Sequence, residues 1–314
     1  MQYTDISTEL CGIKLLNPTI LASGILGVSG SSLANVAKNG AGAVTTKSIC
    51  IEPRKGHPSP VILTYEQGML NAVGLSNAGA KESISEIEYA KKHANVPIIA
   101  SIFACSVKEF GMIAREISKA KPDMIEVNIS CPNVESEFGK PFAADLKVSA
   151  SVTRIVKKNT RIPVIIKLSP NVASIAEIAK SVVKAGADAI NAINTAGPGM
   201  AISIDAKRPI LSNRTGGISG PAIKPIAVRC IYDVYAALKE MKKEDKIPII
   251  GTGGVTYGRD AVEMFMAGAS AVGIGTGVYY RGIDVFRKVS LEIKEFMEKE
   301  SHNSIAEMRG VAHG

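Results

Sequence analysis

Short apolar segments alternate with helical patterns along almost the whole chain, and this alternation constrains the fold more than any other feature. The apolar segments are rich in Ile, Val and Ala, as parallel strands buried on both faces are. Strands that alternate with helices are typical of a parallel sheet built from βα units. We predict eight strands, near Thr19–Ala22, Ala43–Lys47, Pro97–Ile102, Met124–Asn128, Val164–Leu168, Ala189–Ala192, Pro248–Gly251 and Ala271–Ile274.

The segments between the predicted strands carry helical periodicity. Two of them end in small residues, Lys184-Ala185-Gly186-Ala187-Asp188 and Met266-Ala267-Gly268-Ala269, which place a glycine where a helix C-cap leads into the next strand. The predicted helices include Ser106–Ala120, Ala144–Asn159, Ile175–Ala185, Ile223–Met241, Tyr257–Ala267 and Ile283–Lys299.

Eight βα units in 314 residues predict an α/β protein with a single (β/α)₈ TIM barrel, and we assign residues 1–314 to that one domain. A hydrophobic content of 46% with 21% charged residues is that of a globular protein. The active site of such a barrel is built from the loops at the carboxyl ends of the strands. Candidate functional residues are therefore sought only at these strand ends.

Two connections, Ile49 to Gly79 and Ile193 to Pro221, are longer than ordinary βα loops. The first contains Asn71-Ala72-Val73-Gly74-Leu75-Ser76-Asn77, and the second contains Gly216-Gly217-Ile218-Ser219-Gly220-Pro221. Long ordered loops are usually functional, and the glycines of the second loop suit the hinge of a lid. We therefore expect long active-site loops at the carboxyl face of the barrel.

The fourth predicted strand is followed by Asn128-Ile129-Ser130-Cys131-Pro132-Asn133. Pro132 has no N–H for a strand ladder, so it ends the strand. The thiol, hydroxyl and amides that surround it are groups that can hold a flat polar molecule and move a proton. The structural alternative is a small buried cysteine beside an Asn-Pro turn.

Other strand ends carry groups suited to an anionic ligand. Gly253-Gly254 and Gly275-Thr276 follow the seventh and eighth strands, the usual phosphate position of a barrel, although either pair alone also suits a plain turn. Lys47 and Lys167 end the second and fifth strands, where a lysine either reaches water or faces an anion. Amides suited to the edge of a carboxylated pyrimidine, or simply to turns, are supplied by Asn71, Asn128, Asn133 and Asn194.

Cysteine and histidine spacing predicts neither a metal site nor a local iron–sulfur cluster. The net charge of +8 comes from scattered lysines without interleaved aromatic residues, so we predict no nucleic-acid partner and ascribe the charge to a solvated surface or to attraction of anionic small molecules. No segment approaches the ~20 apolar residues of a membrane helix, and the first residues lack a signal-peptide pattern. We therefore expect a cytoplasmic protein that does not bind a membrane.

Taken together, the strand-end motifs resemble those of dihydroorotate dehydrogenases over nearly the whole chain. The resemblance rests on Thr46-Lys47-Ser48, on the Asn71 to Asn77 and Asn128 to Asn133 segments, on Lys167-Leu168-Ser169-Pro170-Asn171 and on Gly216 to Pro221. It implies FMN-dependent oxidation of dihydroorotate to orotate in de novo pyrimidine (UMP) biosynthesis. Cys131 matches the proton-abstracting base of the soluble class, and the Asn71 to Asn77 loop resembles the NAD-linked branch.

In that branch the catalytic chain carries FMN and pairs with a second subunit that holds FAD and a 2Fe–2S cluster. The resemblance therefore implies a homodimer of catalytic chains within a heterotetramer. It also implies substrate contacts at Lys47, Asn71, Ala72, Val73, Gly74, Leu75, Asn128, Asn194 and Thr195. The implied FMN contacts are Ser23, Lys47, Ser48, Ser101, Asn128, Lys167, Ile193, Gly220, Gly253, Gly254, Gly275 and Thr276. Ser101 departs from the asparagine that the family often has after the third strand, and it offers a shorter side chain with fewer donors.

Several functions remain open on the sequence alone. Fumarate or another carrier could replace NAD as the electron acceptor. A dihydrouridine-synthase-like flavin barrel that acts on transfer RNA would use the basic charge, but such enzymes normally add a helical RNA-binding domain. A barrel with no enzymatic activity, used only for assembly, would bind no flavin.

Overall fold

The computed structural model describes residues 4–130 and 142–314, and its architecture follows from the strands. Within these residues the strands, in chain order, are β1 (Thr8–Leu10), β2 (Ile13–Leu15), β3 (Thr19–Leu21), β4 (Ala43–Thr45), β5 (Ile62–Tyr65), β6 (Gly68–Asn71), β7 (Ile98–Ile102), β8 (Met124–Asn128), β9 (Val164–Leu168), β10 (Ala189–Ala192), β11 (Ala196–Met200), β12 (Ile202–Ser203), β13 (Arg208–Pro209), β14 (Thr215–Ser219), β15 (Ile249–Thr252) and β16 (Ala271–Ile274).

Eight of these strands close into a parallel barrel in the order β10-β15-β16-β3-β4-β7-β8-β9. Every neighbouring pair in this barrel is parallel, from β3 with β4 round to β16 with β3. The predicted (β/α)₈ fold is therefore confirmed. The predicted strand bounds differ from the observed ones by at most two residues at either end.

Helices cover the outside of the barrel. They are α1 (Gly30–Lys38), α2 (Ala80–His93), α3 (Val107–Ile117), α4 (Leu146–Asn159), α5 (Ile175–Lys184), α6 (Lys224–Glu240), α7 (Gly258–Met266), α8 (Gly277–Arg281), α9 (Val285–Lys299) and α10 (Ile305–Met308). The α3 helix shows why they form where they do, because the Ser106 side chain accepts a hydrogen bond from Glu109 N and caps its first turn. The helix predicted over Ser106–Ala120 narrows to a 3₁₀ turn at its last three residues, since Lys121 adopts a left-handed conformation.

Inward-facing side chains divide the barrel interior into an apolar part and a polar part. Near the amino ends of the strands, the inward positions are Ile20, Ala43, Ile99, Met124, Ile165, Ala189, Ile250 and Ala271, and they pack against Leu10 and Leu15 of the β1–β2 hairpin. Side chains alternate along a strand, so the next inward positions lie two residues further on. They include Ser101, Glu126, Lys167, Asn191 and Thr252, and all five are buried. The polar positions lie towards the carboxyl ends.

The two long connections join in a second sheet, which the sequence patterns do not predict. Strands β11, β14, β6 and β5 form it in that order, and the β14–β6 pairing joins the second connection to the first. Gly216 and Gly217 lie inside β14, not at a flexible end. A Cβ at Gly217 would lie 2.1 Å from Thr195 Oγ1, and one at Gly216 would lie 2.5 Å from Asn71 O, so these glycines permit close packing between segments.

Within residues 4–130 and 142–314, no helix has both the length and the apolar character needed to span a bilayer. The same residues contain no group of three or more His, Cys, Asp or Glu side chains placed to hold a metal ion.

Candidate active site

A cavity of about 430 Å³ lies at the carboxyl ends of the barrel strands, beneath the β11-β14-β6-β5 sheet. Both the barrel and the antiparallel sheet contribute residues to its walls. Ser23, Lys47 and Asn128 lie at the strand ends of the barrel, whereas Met69 and Gly217 belong to the sheet. The position agrees with the general rule that a barrel places its active site at this face.

The structure brings most of the predicted site residues into this one cavity. Ala72 does not line it, because its side chain packs with Leu70 and Leu211 in a separate apolar cluster. Ser101 is fully buried and does not line it either. Cys131 and Asn133 lie outside the described residues. The predicted residues that line the cavity are Ser23, Lys47, Ser48, Asn71, Val73, Gly74, Leu75, Asn128, Lys167, Ile193, Asn194, Thr195, Gly220, Gly253, Gly254, Gly275 and Thr276.

Asn128 is held by hydrogen bonds at both ends of its amide. Its Nδ2 donates to Ser48 Oγ at 3.2 Å, and its Oδ1 accepts from Ser130 Oγ at 2.8 Å. Asn194 Nδ2 donates to the same Ser130 hydroxyl at 2.7 Å, and Asn194 Oδ1 accepts from Thr195 N at 2.8 Å. The two amides therefore have defined orientations at the point where β8 and β10 end.

Two lysines line the cavity in different surroundings. Lys167 is only 4% exposed, and its Nζ donates to Ser23 Oγ at 3.1 Å. Ion pairs in the described part of the chain involve other lysines, such as Lys157 with Asp188, and none includes Lys167. Lys47 is half-buried, and its backbone N donates to Gly27 O at 2.8 Å. A buried ammonium beside a neutral hydroxyl favours an anionic ligand group in this cavity.

Glycines expose the backbone at one side of the cavity. Gly253 and Gly254 have φ angles of 134° and 82°, which favour glycine, and a Cβ at Gly254 would lie 2.6 Å from Lys224 Cβ. Gly24 and Gly275 face open space, because a Cβ at Gly24 would have no neighbour within 4 Å and one at Gly275 would approach nothing closer than 3.8 Å. Side chains at these two positions would fill part of the cavity. This bare backbone fits a phosphate-bearing, planar cofactor such as FMN.

Comparison with known proteins agrees with this geometry. The sequence model of the family described as dihydroorotate dehydrogenase matches residues 5–297. The chain belongs to the dihydroorotate dehydrogenase family. It is 47% identical over 311 residues to the "Dihydroorotate dehydrogenase B (NAD(+)), catalytic subunit" of Methanocaldococcus jannaschii, with 98% of each chain covered. Proteins with the same name from Methanosarcina mazei (45% over 305 residues, 97% of this chain and 94% of the relative) and Pyrococcus furiosus (44% over 308 residues, 98% and 99%) are also similar.

Ser101 lies behind the cavity wall and does not line the cavity. Its hydroxyl lies 2.9 Å from Ser48 Oγ and donates to Glu126 Oε1 at 2.9 Å. Ser48 in turn lines the cavity. The shorter side chain at this position thus reaches a neighbouring hydroxyl within the protein.

Several cavity residues were missed by the sequence analysis. Met69 and Ser219 enter from the antiparallel sheet, for which the sequence carries no local signal. Thr252 is the last residue of β15, one position beyond the predicted strand, and the inward alternation from Ile250 to Thr252 was a usable signal. Strand-end motifs therefore find the floor of the cavity but not its cover.

The cysteines outside the Asn128 to Asn133 segment do not line the cavity. Burial is the main cause that raises the pKa of the Cys11 thiol to about 12 and that of Cys230 to about 11. Burial also raises the pKa of Cys50 above its ordinary value. The thiols of Cys11, Cys50 and Cys230 are therefore mostly protonated at neutral pH.

Proposed function

We propose that this chain is the catalytic subunit of an NAD-linked dihydroorotate dehydrogenase, which oxidises dihydroorotate to orotate in pyrimidine biosynthesis. One observation carries the proposal. The amides of Asn71, Asn128 and Asn194 share a single cavity with Lys47, Lys167 and the glycine turns. A carboxylated ring and a phosphate-bearing cofactor have complementary groups in that cavity, and the family relationship names a reaction that uses both.

FMN is the proposed cofactor, and when bound it supplies a hydride acceptor. The backbone at Gly253, Gly254 and Gly275 would hold its phosphate through N–H groups, with the Thr276 hydroxyl beside them. Lys167 would place a positive charge against the ring where negative charge develops on reduction. Ser23 fixes the Lys167 ammonium by its hydrogen bond. Ser48 and Ile193 would complete the contacts on the barrel side.

The substrate is proposed to bind between the barrel mouth and the antiparallel sheet. Lys47 and Asn71 would hold the carboxylate, while Asn128, Asn194 and Thr195 would hold the polar edge of the ring. Asn71 Nδ2 already contacts Gly217 O at 3.4 Å, which links the substrate side to β14. Cys131, in the segment after Ser130, is the proposed base that takes the C5 proton on its Sγ. Fixed amides on one side and a base from the segment that follows Ser130 in the sequence would align the two bonds that break.

We further propose a partner subunit with FAD and a 2Fe–2S cluster, which would pass electrons on to NAD, and a homodimer of catalytic chains within a heterotetramer. The names of the relatives, each a catalytic subunit of an NAD(+) enzyme, support a separate electron-transfer subunit. A cytoplasmic location stays a prediction. Fumarate reduction and action on transfer RNA are not favoured by any of these relatives' names.

The test uses the full chain, purified without a partner. We expect acid treatment to release FMN, and anaerobic addition of dihydroorotate to bleach the visible absorbance of the bound flavin. Orotate should bind in the same cavity and compete with dihydroorotate. A chain that takes up only FAD, or whose bound flavin is not reduced by dihydroorotate, would contradict the proposal.

A further inference from the structure

Polar side chains in the middle of the barrel converge on one buried carboxylate. Glu126 on β8 is 1% exposed. Its Oε1 accepts a hydrogen bond from Ser101 Oγ at 2.9 Å, and its Oε2 accepts one from Asn191 Nδ2 at 2.6 Å. An ionised carboxylate needs such donors when it leaves water, because its desolvation otherwise costs several kcal/mol. Glu126 does not line the cavity, so it acts on any ligand only through its neighbours.

Each of these neighbours leads to a residue with a hydroxyl group that lines the cavity. Ser101 Oγ lies 2.9 Å from Ser48 Oγ on one side. On the other side, Asn191 Oδ1 accepts a hydrogen bond from Thr252 Oγ1 at 2.7 Å. Ser48 and Thr252 both line the cavity and are 4% and 9% exposed. One residue therefore separates the carboxylate from each cavity hydroxyl.

An ionised Glu126 would determine the direction of the hydrogen bonds in both arms of this network. A hydroxyl has one hydrogen to donate, and an ionised carboxylate only accepts. Ser101 uses its hydrogen on Glu126, so it must accept the hydrogen of Ser48. Thr252 uses its hydrogen on Asn191. Ser48 also accepts from Asn128 Nδ2 at 3.2 Å, so it keeps one lone pair for a group in the cavity, whereas Thr252 keeps both of its own. Neither hydroxyl then has a hydrogen left to donate to that group.

We propose that Glu126 is a positioning residue, whose ionised carboxylate keeps the Ser48 and Thr252 hydroxyls as hydrogen-bond acceptors toward the cofactor. The cavity floor then selects a ligand that presents N–H or O–H donors to these two groups. The inference rests on the proposed function, since FMN has an imide N–H on its ring and hydroxyls on its ribityl chain. A neutral donor at position 126 would turn one hydroxyl hydrogen toward the cavity and oppose those donors.

Glu126→Gln tests the polarity with almost no change of shape. The introduced amide has one acceptor side and one donor side, so it can keep only one of the two arms in its original direction. The other arm must reverse or leave a buried group unpaired. We expect the full chain to bind FMN roughly 10- to 100-fold more weakly, the effect of one unmet buried polar group. Flavin fluorescence on dilution of the loaded protein measures the dissociation constant.

The double variant Glu126→Gln/Asn191→Asp is the matched rescue. It moves the carboxylate to position 191, where it accepts from the Thr252 hydroxyl and from the amide N–H introduced at position 126, while the oxygen of that amide accepts from Ser101. Both arms regain their original direction. We expect the double variant to bind FMN about as tightly as the wild type. Asn191→Asp alone places two carboxylates in contact and is expected to lower both FMN affinity and the thermal unfolding midpoint.

Two results would overturn the proposal: a Glu126→Gln chain that binds FMN as the wild type does, or a double variant no better than the single one. If Glu126→Gln does not fold, Thr252→Val removes one cavity acceptor without touching the carboxylate, and unchanged FMN affinity would then be decisive against it. Unfolding of the flavin-free chains gives a separate readout, in which the double variant should recover the midpoint lost by the single one. A wild-type chain that binds no FMN contradicts the proposed function, whereas absence of this recovery contradicts the role of Glu126.

Discussion

Lys167 lies in surroundings that differ from those of Lys224, which forms ion pairs near the protein surface. Lys224 contacts Asp260 at 2.9 Å and Glu263 at 2.8 Å, as lysines at protein surfaces commonly do. Lys167 instead lies almost fully buried beside the Ser23 hydroxyl. A cation kept away from water without an acidic partner among the described residues is suited to interact with a ligand whose charge changes during the reaction. We therefore expect Lys167 to affect the rate of flavin reduction more than the affinity for orotate.

Replacement of Lys167 by Met should slow flavin reduction by dihydroorotate by roughly 10²-fold, as loss of one preorganised electrostatic contact typically does. Orotate affinity should change much less, because the proposed substrate contacts remain. Stopped-flow reduction and an orotate titration separate the two effects. Lys184→Met, at an exposed helix end, serves as the control and should leave both unchanged. Equal losses in rate and orotate affinity would assign Lys167 to the substrate.

Replacement of Cys131 by Ser should lower the rate of flavin reduction at neutral pH by about the 10² to 10⁴ of a lost general base. A hydroxyl is far less acidic than a thiol, whose reference pKa is roughly 8.5, so the C5 proton loses its acceptor. The rate should recover partly as the pH rises. FMN and orotate should still bind.

Anaerobic single-turnover reduction across pH, with C5-deuterated dihydroorotate, measures the proton step in both forms. The Cys131→Ser protein should show a larger deuterium effect than the wild type wherever proton removal limits the rate. A near-normal rate at neutral pH would remove Cys131 from the mechanism.

At the scale of elements, the glycine turn after β15 is held by the helices around it. The α6 helix begins at Lys224, whose Nζ contacts Asp260 in the first turn of α7. Asp260 also accepts from Thr256 N at 3.0 Å and Tyr257 N at 2.8 Å. A Cβ at Gly254 would collide with Lys224, so the turn and the helix start are packed together. The ion pair thus joins two βα units beside the cavity.

The hydrogen bond to Glu263, followed by that to Asp260, raises the pKa of Lys224 above its ordinary 10.5, although burial opposes the shift. A raised pKa means that the folded protein holds this proton more tightly. The ion pair therefore stabilises the fold fully below the unfolded-state pKa and loses this effect as the pH rises through the folded-state pKa. Lys224→Met should lower the thermal unfolding midpoint at neutral pH. The corresponding loss in the free energy of unfolding should be less than about 1 kcal/mol, because the pair is partly exposed.

Thermal unfolding of wild type and Lys224→Met from neutral to strongly alkaline pH provides the measurement. The difference between the two midpoints should be constant up to about pH 10 and shrink above it. Lys239→Met, an exposed position on the same helix, is the control and should show no such change. A difference that grows with pH would contradict the assigned ion pair.

At the scale of the whole molecule, the barrel separates stability from chemistry. The inward positions near the amino ends are apolar and close against the β1–β2 hairpin, whereas the polar positions and the cavity lie at the carboxyl ends. The antiparallel sheet covers that mouth and supplies Met69, Asn71 and Gly217 to its wall. Described residues of this sheet and of the barrel together line a ligand cavity. We propose that onward transfer of electrons needs a second protein.

The isolated chain should therefore oxidise dihydroorotate with an artificial dye as acceptor but produce no NADH from NAD. Within residues 4–130 and 142–314 no His, Cys, Asp or Glu group is placed to hold a metal, and the sequence carries no cluster-binding cysteine motif. Dye reduction and NADH formation are measured on the same preparation, with dye reduction as the control for active enzyme. Sustained NADH production by the pure chain would exclude the requirement for an electron-transfer subunit.

The sequence by itself determined the barrel, the order of its strands and most of the cavity floor. These follow from local patterns, because each strand and helix has its own periodicity and each strand end lies at one face of a parallel barrel. Lys47, Asn128, Lys167 and Gly253 could be placed together for that reason alone. The resemblance to family motifs then predicted the reaction in which these residues take part.

The sequence predicted that the two long connections lie at the cavity, but only the tertiary structure decided how they pair to cover it and which residues support it. The β14–β6 pairing brings Gly217 to Asn71 across a sequence separation of 146 residues, and such short strands carry no periodic signal of their own. The sequence predicted that Ser101 contacts the flavin, whereas in the structure Ser101 lies behind Ser48 and does not line the cavity. The reason is that inward side chains from neighbouring strands meet only when the barrel closes. The same closure surrounds Glu126 with donors from β7 and β10, and no local pattern along a chain encodes contacts between distant strands.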